Sequence, residues 1–168
     1  MTMKTSPVTA AAIVTLLLCG SIATAFAQTA APPKGVYVFG ADQTIADLGK
    51  MDWAPLQLPG LPPGIEIASL RGDLAKGGGE IVLRTPAKYV VPNHSHLSDE
   101  TYVWLKGDFT YAAADGTRQK ISSPAFISLP GNTPHALECG DEPCVFYLRY
   151  GRAFDLHVHP MPAAKAAR

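Results

Sequence analysis

From Ile65 to His159 the sequence is a succession of short runs rich in β-branched and aromatic residues: IEIASL, GEIVLRT, KYVVPNHSH, DETYVWLKG, DFTYAAA, AFISLP, HALEC, VFYLRY and DLHVH. Turn signals cut these runs at short intervals, at Gly77-Gly78-Gly79, Asp115-Gly116, Pro130-Gly131 and Gly140 to Pro143. Such runs read as strands. No long stretch sets apolar residues at helical spacing. The chain is therefore expected to be all-β, a two-sheet jelly roll or small barrel, which suits about 100 residues of strand and turn.

The segments before this texture differ. Lys4 precedes an apolar run from Ala10 to Ala27 that ends in Ala25-Phe26-Ala27, the layout of a signal peptide cut after Ala27. Leu18 before Cys19 does not suit a lipoprotein signal, and no twin-arginine pair is present. Residues 1–27 are expected to be removed on export of the unfolded chain to a periplasmic or secreted location, with no membrane attachment afterwards. Residues 28–63, rich in Ala, Pro and Gly, read as a leader with short strands at Val36 to Phe39 and around MDWAPL. Residues 64–160 read as the barrel and 161–168 as a disordered tail.

The full sequence carries 14 basic and 14 acidic residues, a balance that excludes a nucleic-acid or anionic-membrane surface read from charge. Cys139 and Cys144 flank a Gly-Asp-Glu-Pro tip, and in an oxidising compartment they are expected to pair across a hairpin. A loop that short contributes about 2 kcal/mol in the chain-entropy model.

The chemistry concentrates in PNHSHLSDETYVWLKG, Pro92 to Gly107. On an extended strand His94 and His96 project to one side and Asn93 and Ser95 to the other. Glu100 follows a short turn, and His135 follows the loop Pro130-Gly131-Asn132-Thr133-Pro134. Three imidazoles and a carboxylate form a donor set for one divalent transition metal, Zn, Cu, Fe, Mn or Ni, with positions left for water or substrate.

These residues resemble the two motifs of the cupin superfamily, G-x5-H-x-H-x3-E-x6-G and G-x5-P-x-G-x2-H-x3-N. His94, His96, Glu100 and Gly107 fall on the first, and Pro130 and His135 on the second. The resemblance covers roughly Ile65 to His159 and implies a cupin-type double-stranded β-helix, a jelly-roll barrel with the metal inside. LRGDLAKGGGEIVLRTPAKYVVPNHSH and GRAFDLHVHP also resemble single-domain cupins without an assigned reaction. Lys88, Pro124, Asn132 and Cys139 stand where the motifs have Gly, Gly, Gly and Asn. Lys88 and Pro124 suggest that two turns take a different backbone shape.

Alternation from Glu100 puts Tyr102 and Trp104 on the ligand face, so Trp104 is expected to narrow the cavity, with Phe126 and Ser128, or else Ile127 and Leu129, opposite. His157 and His159 share a face of the last strand, as a fifth ligand, a proton shuttle or neither. Arg84, Arg149 and Arg152 are candidate anchors for an acidic substrate. If the chain meets its metal outside the cytoplasm, affinity order favours copper and zinc. The expected function is a metal-dependent enzyme, dioxygenase-like or hydrolytic, acting on a small organic molecule. Glu100 would be a ligand or a base, and the protein is expected to pair as a homodimer. The alternative is a non-catalytic binding or sensory barrel.

Overall fold

A computed structural model describes residues 31–39, 43–163 and 165. The expected signal peptide lies outside the described residues. So does the end of the tail, whereas Lys165, expected in a disordered segment, bridges Thr117 and donates its amide to the Gly116 carbonyl.

Among the described residues there is no α-helix, only a 3-10 turn at Leu48–Lys50, and no helix is long and apolar enough to cross a membrane. The strands are β1 (Val36–Phe39), β2 (Gln43–Ala46), β3 (Ala54–Pro55), β4 (Glu66–Asp73), β5 (Gly78–Thr85), β6 (Val90–Ser95), β7 (Glu100–Lys106), β8 (Phe109–Ala113), β9 (Arg118–Ile121), β10 (Ala125–Leu129), β11 (His135–Cys139), β12 (Cys144–Tyr150) and β13 (His157–Val158). The first two form a separate hairpin; the rest form a six-stranded sheet in the order β10-β7-β12-β5-β4-β3 and a five-stranded sheet in the order β13-β6-β11-β8-β9. The all-β cupin-type barrel is thus the architecture the sequence implied. Of the segment read as a leader with short strands, Val36–Phe39 forms β1 and the MDWAPL stretch contributes β3, which pairs with β4 at Ala54↔Ile67.

Period-2 burial explains the sheets. In β12, Cys144, Phe146, Leu148 and Tyr150 are buried while Val145, Tyr147 and Arg149 are not. On β7 the same alternation buries Glu100, Tyr102 and Trp104. Burying each large apolar side chain contributes about 1.5–3 kcal/mol, and the core gathers Ile81, Leu83, Trp104, Phe109, Phe146 and Leu148 between the sheets.

Two turns keep the shape their motif glycines would supply. Lys88 holds φ 60° and Asn132 φ 62°, left-handed backbone that asparagine tolerates and lysine tolerates less well. The expected change of shape at Lys88 is therefore not found. The peptide bond before Pro124 is cis. Gly107 has φ 81°, and a Cβ there would stand 2.8 Å from the Pro143 carbonyl oxygen and 2.9 Å from Cys144 Sγ, so the close of the first motif accepts no side chain.

Candidate metal centre and its cavity

β6 and β11 lie side by side in one sheet with His135 paired to His94. β7 begins the facing strand of the other sheet with Glu100, so the turn from His96 to Asp99 carries the chain from one sheet to the other. That turn is tied to the loop before His135: the Asn132 amide donates to the His96 carbonyl at 2.6 Å and the Gly131 amide to Asp99 Oδ1 at 2.8 Å. His94, His96, Glu100 and His135 are all buried, each at 3% exposure or less. The imidazole ring centres of His94 lie 4.9 Å from His96 and 4.3 Å from His135.

Each imidazole is oriented by its outer nitrogen. Nδ1 of His94 meets the Pro92 carbonyl at 2.8 Å, Nδ1 of His135 meets the Thr133 carbonyl at 3.0 Å, and Nδ1 of His96 meets the Asp155 carbonyl. A carbonyl only accepts, so each Nδ1 carries the proton and donates it, and each Nε2 is left as a lone pair. Glu100 reaches two of them, with Oε1 3.2 Å from His96 Nε2 and Oε2 3.7 Å from His135 Nε2.

Burial, reinforced by neighbouring imidazoles, pulls His94 down to about 3 and His96 to about 4, and burial lowers His135 as well. Burial pushes Glu100 up to about 7, against hydrogen bonds from Tyr102 and Tyr150 that favour its ionised form. The His96–Glu100 contact is therefore not an ion pair at neutral pH. The Tyr102 hydroxyl donates to Glu100 Oε1 at 2.8 Å and lies 3.3 Å from His135 Nε2, and the Tyr150 hydroxyl lies 3.3 Å from His96 Nε2.

Among the described residues no group of three or more His, Cys, Asp or Glu is closed around a common point as a cation would require. The chemistry of the donor set still fits a divalent transition metal: neutral imidazoles with a fixed tautomer, a carboxylate beside them, and outer hydrogen bonds that hold ring orientation. His94, His96, Glu100 and His135 are the residues that would hold it.

A cavity of about 330 Å³ opens onto His94 and His96. Tyr102 lines it, as expected, and three other expectations are corrected. Trp104 does not line it: its indole is sandwiched between Phe109 and Phe146, at 3.9 Å and 4.3 Å between ring centres, and fills the core instead. Phe126, 69% exposed, and Ser128 point outward, because β10 turns its opposite side, with buried Leu129 and partly buried Ala125 and Ile127, toward the core. Arg84 is held by Glu66 in two contacts at 2.5 Å and 3.0 Å with its guanidinium over the Trp53 ring, and Arg149 and Arg152 are exposed, so none reaches the cavity.

His157 and His159 stay outside the cluster. His157 pairs with Asp155 at 2.6 Å near the surface, and His159 Nε2 bonds Ser95 on the far face of β6 at 2.8 Å. Residues absent from the sequence reading complete the site: Tyr150, Phe154, and the rim formed by Leu56, Leu58 and Leu61. Alternation along β12 from the disulfide-bonded Cys144 would have found Tyr150. The rim follows no local pattern. Cys139 and Cys144 do form the expected disulfide, between β11 and β12, with Cα atoms 6.0 Å apart.

Two facing sheets enclosing this cluster define a cupin. A family model, the ChrR cupin-like domain, matches residues 41–154, and the chain belongs to that family. Among solved structures, the chain is similar to the DMSP lyase DddQ from Ruegeria pomeroyi, with 18% identity over 64% of this chain and 60% of that one and a TM-score of 0.54. It is also similar to the polyketide cyclase RemF from Streptomyces resistomycificus, with 17% identity, 66% and 84% coverage and a TM-score of 0.54. A cupin-2 domain from Rhodospirillum rubrum has 12% identity, 65% and 75% coverage and a TM-score of 0.54. The chain thus spans about three fifths of the lyase, and these likenesses establish the fold. No curated protein matches the sequence.

Proposed function

We propose that this protein is a metal-dependent cupin that acts on a small organic molecule bound in the cavity, with His94, His96, Glu100 and His135 holding one divalent transition metal. The observation that carries this reading is the set of three Nδ1–carbonyl hydrogen bonds, which fix all three imidazoles in the tautomer a metal requires. A bound metal would supply Lewis acidity or an O2-binding centre, the basis of a hydrolytic or dioxygenase-like reaction.

The chain's own residues would do the rest. The aliphatic wall excludes water and positions the molecule against His94 and His96. Glu100, with an affinity for protons near neutrality, holds or accepts a proton at its carboxylate, and Tyr102 orients that carboxylate through the 2.8 Å hydrogen bond. The disulfide supports placing the protein in an oxidising compartment outside the cytoplasm, where copper and zinc are favoured. Exposed Tyr37, Val38, Phe39 and Ile45 on the β1–β2 hairpin support a homodimer.

A second reading, a metal-free binding barrel, is favoured by the two phenols, whose hydroxyls stand at hydrogen-bonding distance from two of the Nε2 atoms. Elemental analysis of protein isolated from its native compartment separates the two. Near one transition-metal ion per chain is expected, lost in His94→Ala and His135→Ala variants that keep their β-type circular dichroism. A metal-poor, fully folded wild type would sink the first reading. Oxygen uptake and hydrolysis across diketones, catechols, thiols and esters then distinguish enzyme from binder.

A further inference from the structure

The wall of the cavity is more selective than its metal-facing end. Leu56, Leu58, Leu61, Leu74 and Leu156 are half-buried around its rim, and Ile81, Leu83, Leu137 and Leu148 are buried deeper in. No Lys, Arg, Asp or Glu is among the described residues that line it. Among the lining residues the only polar side chains are His94, His96, Tyr102 and Tyr150, and they cluster at one end, the Tyr150 hydroxyl 3.3 Å from His96 Nε2 and the Tyr102 hydroxyl on Glu100. Glu100 is the one carboxylate at the histidine end, behind His96 and Tyr102, which it contacts at 3.2 Å and 2.8 Å, and two charges beside the wall are committed elsewhere. The Asp155 carboxylate accepts from the Leu97 amide and pairs with His157, and Arg84 is bound to Glu66.

The rim is built rather than loose. The Leu56 amide donates to the Ile65 carbonyl at 2.9 Å, the Leu61 amide to the Leu58 carbonyl at 3.1 Å, and the Tyr89 hydroxyl to the Pro62 carbonyl at 2.5 Å. Phe154 adds an aromatic face, with its ring centre 5.3 Å from His96 and 5.1 Å from Tyr150. A charged ligand entering here would lose its hydration with no counter-ion from the wall, a cost of several kcal/mol. An apolar skeleton would instead exchange water for leucine side chains. A volume of about 330 Å³ is at the small end of organic-ligand pockets, about 300–1,000 Å³.

We infer that the molecule taken by this cavity is uncharged and largely apolar or aromatic, with one neutral polar group, a ketone, phenol or alcohol, directed at the His94–His96–Tyr150 end. This rests on the reading of the cavity as the substrate chamber of the site; the metal proposed there would be its one cationic counter-charge, and the wall itself disfavours small carboxylates, phosphates and charged sugars.

The matched probes 2-naphthol and 2-naphthoate share a skeleton and differ in charge at pH 7. Calorimetric titration of the full folded chain should give naphthol the tighter binding by about tenfold or more. Leu61→Lys, at a half-exposed rim position that tolerates a charge, should bring the two affinities together or reverse them. Naphthoate binding as tightly as naphthol to wild type overturns the inference. Failure of both to saturate at millimolar concentration, or an unchanged ratio in Leu61→Lys, does the same. Each titration is run on chelator-stripped and on zinc-supplemented protein. A naphthol preference with no metal uptake keeps this inference and removes the metal reading, and metal uptake without the preference does the opposite.

Discussion

The amide of Asn132 donates to the carbonyl oxygen of His96 at 2.6 Å, so the loop that delivers His135 is fastened to the turn that follows His96. Asp99 adds a second fastening through the Gly131 amide. Asp99→Ala is expected to cost about 1–2 kcal/mol, the lower part of the range for a hydrogen bond to a charged acceptor because Asp99 is exposed. It should also weaken metal uptake more than an exposed-charge change such as Asp141→Ala. Equal uptake in the two variants would show that the joint does not position His135.

Lys88 and Asn132 occupy left-handed backbone without being glycine. That conformation costs a side-chain-bearing residue about 1–2 kcal/mol, partly offset by glycine's greater freedom when unfolded. Lys88→Gly should therefore raise stability by up to about 1 kcal/mol in chemical denaturation, even though it removes the exposed Lys88–Asp141 pair. Asn132→Gly should gain less. A loss of stability in Lys88→Gly contradicts this account.

The titrating cluster sets a direction for metal-free protein. His94 and His96, lowered to about 3 and 4 from an ordinary 6.5, are neutral in the fold while the unfolded chain takes up their protons below about 6.5. Their stabilising effect is thus present above 6.5 and is lost as pH falls. Glu100, raised to about 7 from 4.5, runs the other way, since its effect is present below 4.5 and is lost as pH rises through 7. With three lowered histidines, His135 included, against one raised carboxyl, the unfolded state binds more protons between about 4.5 and 6.5. Stability must rise with pH there. Thermal midpoints of chelator-treated protein across that window check the sign, and a flat or falling profile refutes it.

Trp104 is 1% exposed and its indole nitrogen has no hydrogen-bond partner. Trp104→Phe keeps an aromatic between Phe109 and Phe146 and removes an unsatisfied donor, so about 1 kcal/mol or less should be lost. Trp104→Ala should cost about 3–5 kcal/mol by leaving a cavity. Metal uptake by the folded fraction should be unchanged in both, since the ring lies outside the ligand cavity. Similar losses in the two variants would contradict the packing argument.

The Cys139–Cys144 bridge closes a short loop between β11 and β12. The Cys139→Ser, Cys144→Ser double variant should lose about 2 kcal/mol and still take up metal, because His135 is held by its own pairing with β6 and β8. Loss of the fold would give the bridge a larger role than a local staple.

Short runs with strict alternation and turn residues were enough to read strands, an all-β class and the pairing of His94 with His96 on one face. These are consequences of a two-residue period that needs no partner strand. Motif spacing likewise brought Glu100 and His135 to the same centre. Alternation names two faces but does not say which one meets the core. On β10 the side with Ala125, Ile127 and Leu129 turns toward the core and the side with Phe126 and Ser128 toward water, a choice made by how the sheet packs. The same limit applies to Trp104, on the inward face as read but packed in the aromatic core instead of beside the ligands. The leucine rim from Leu56 to Leu61, Phe154 and the outward commitment of Arg84 were decided only by tertiary structure. They depend on which distant segments close over one another, and no local period records that contact.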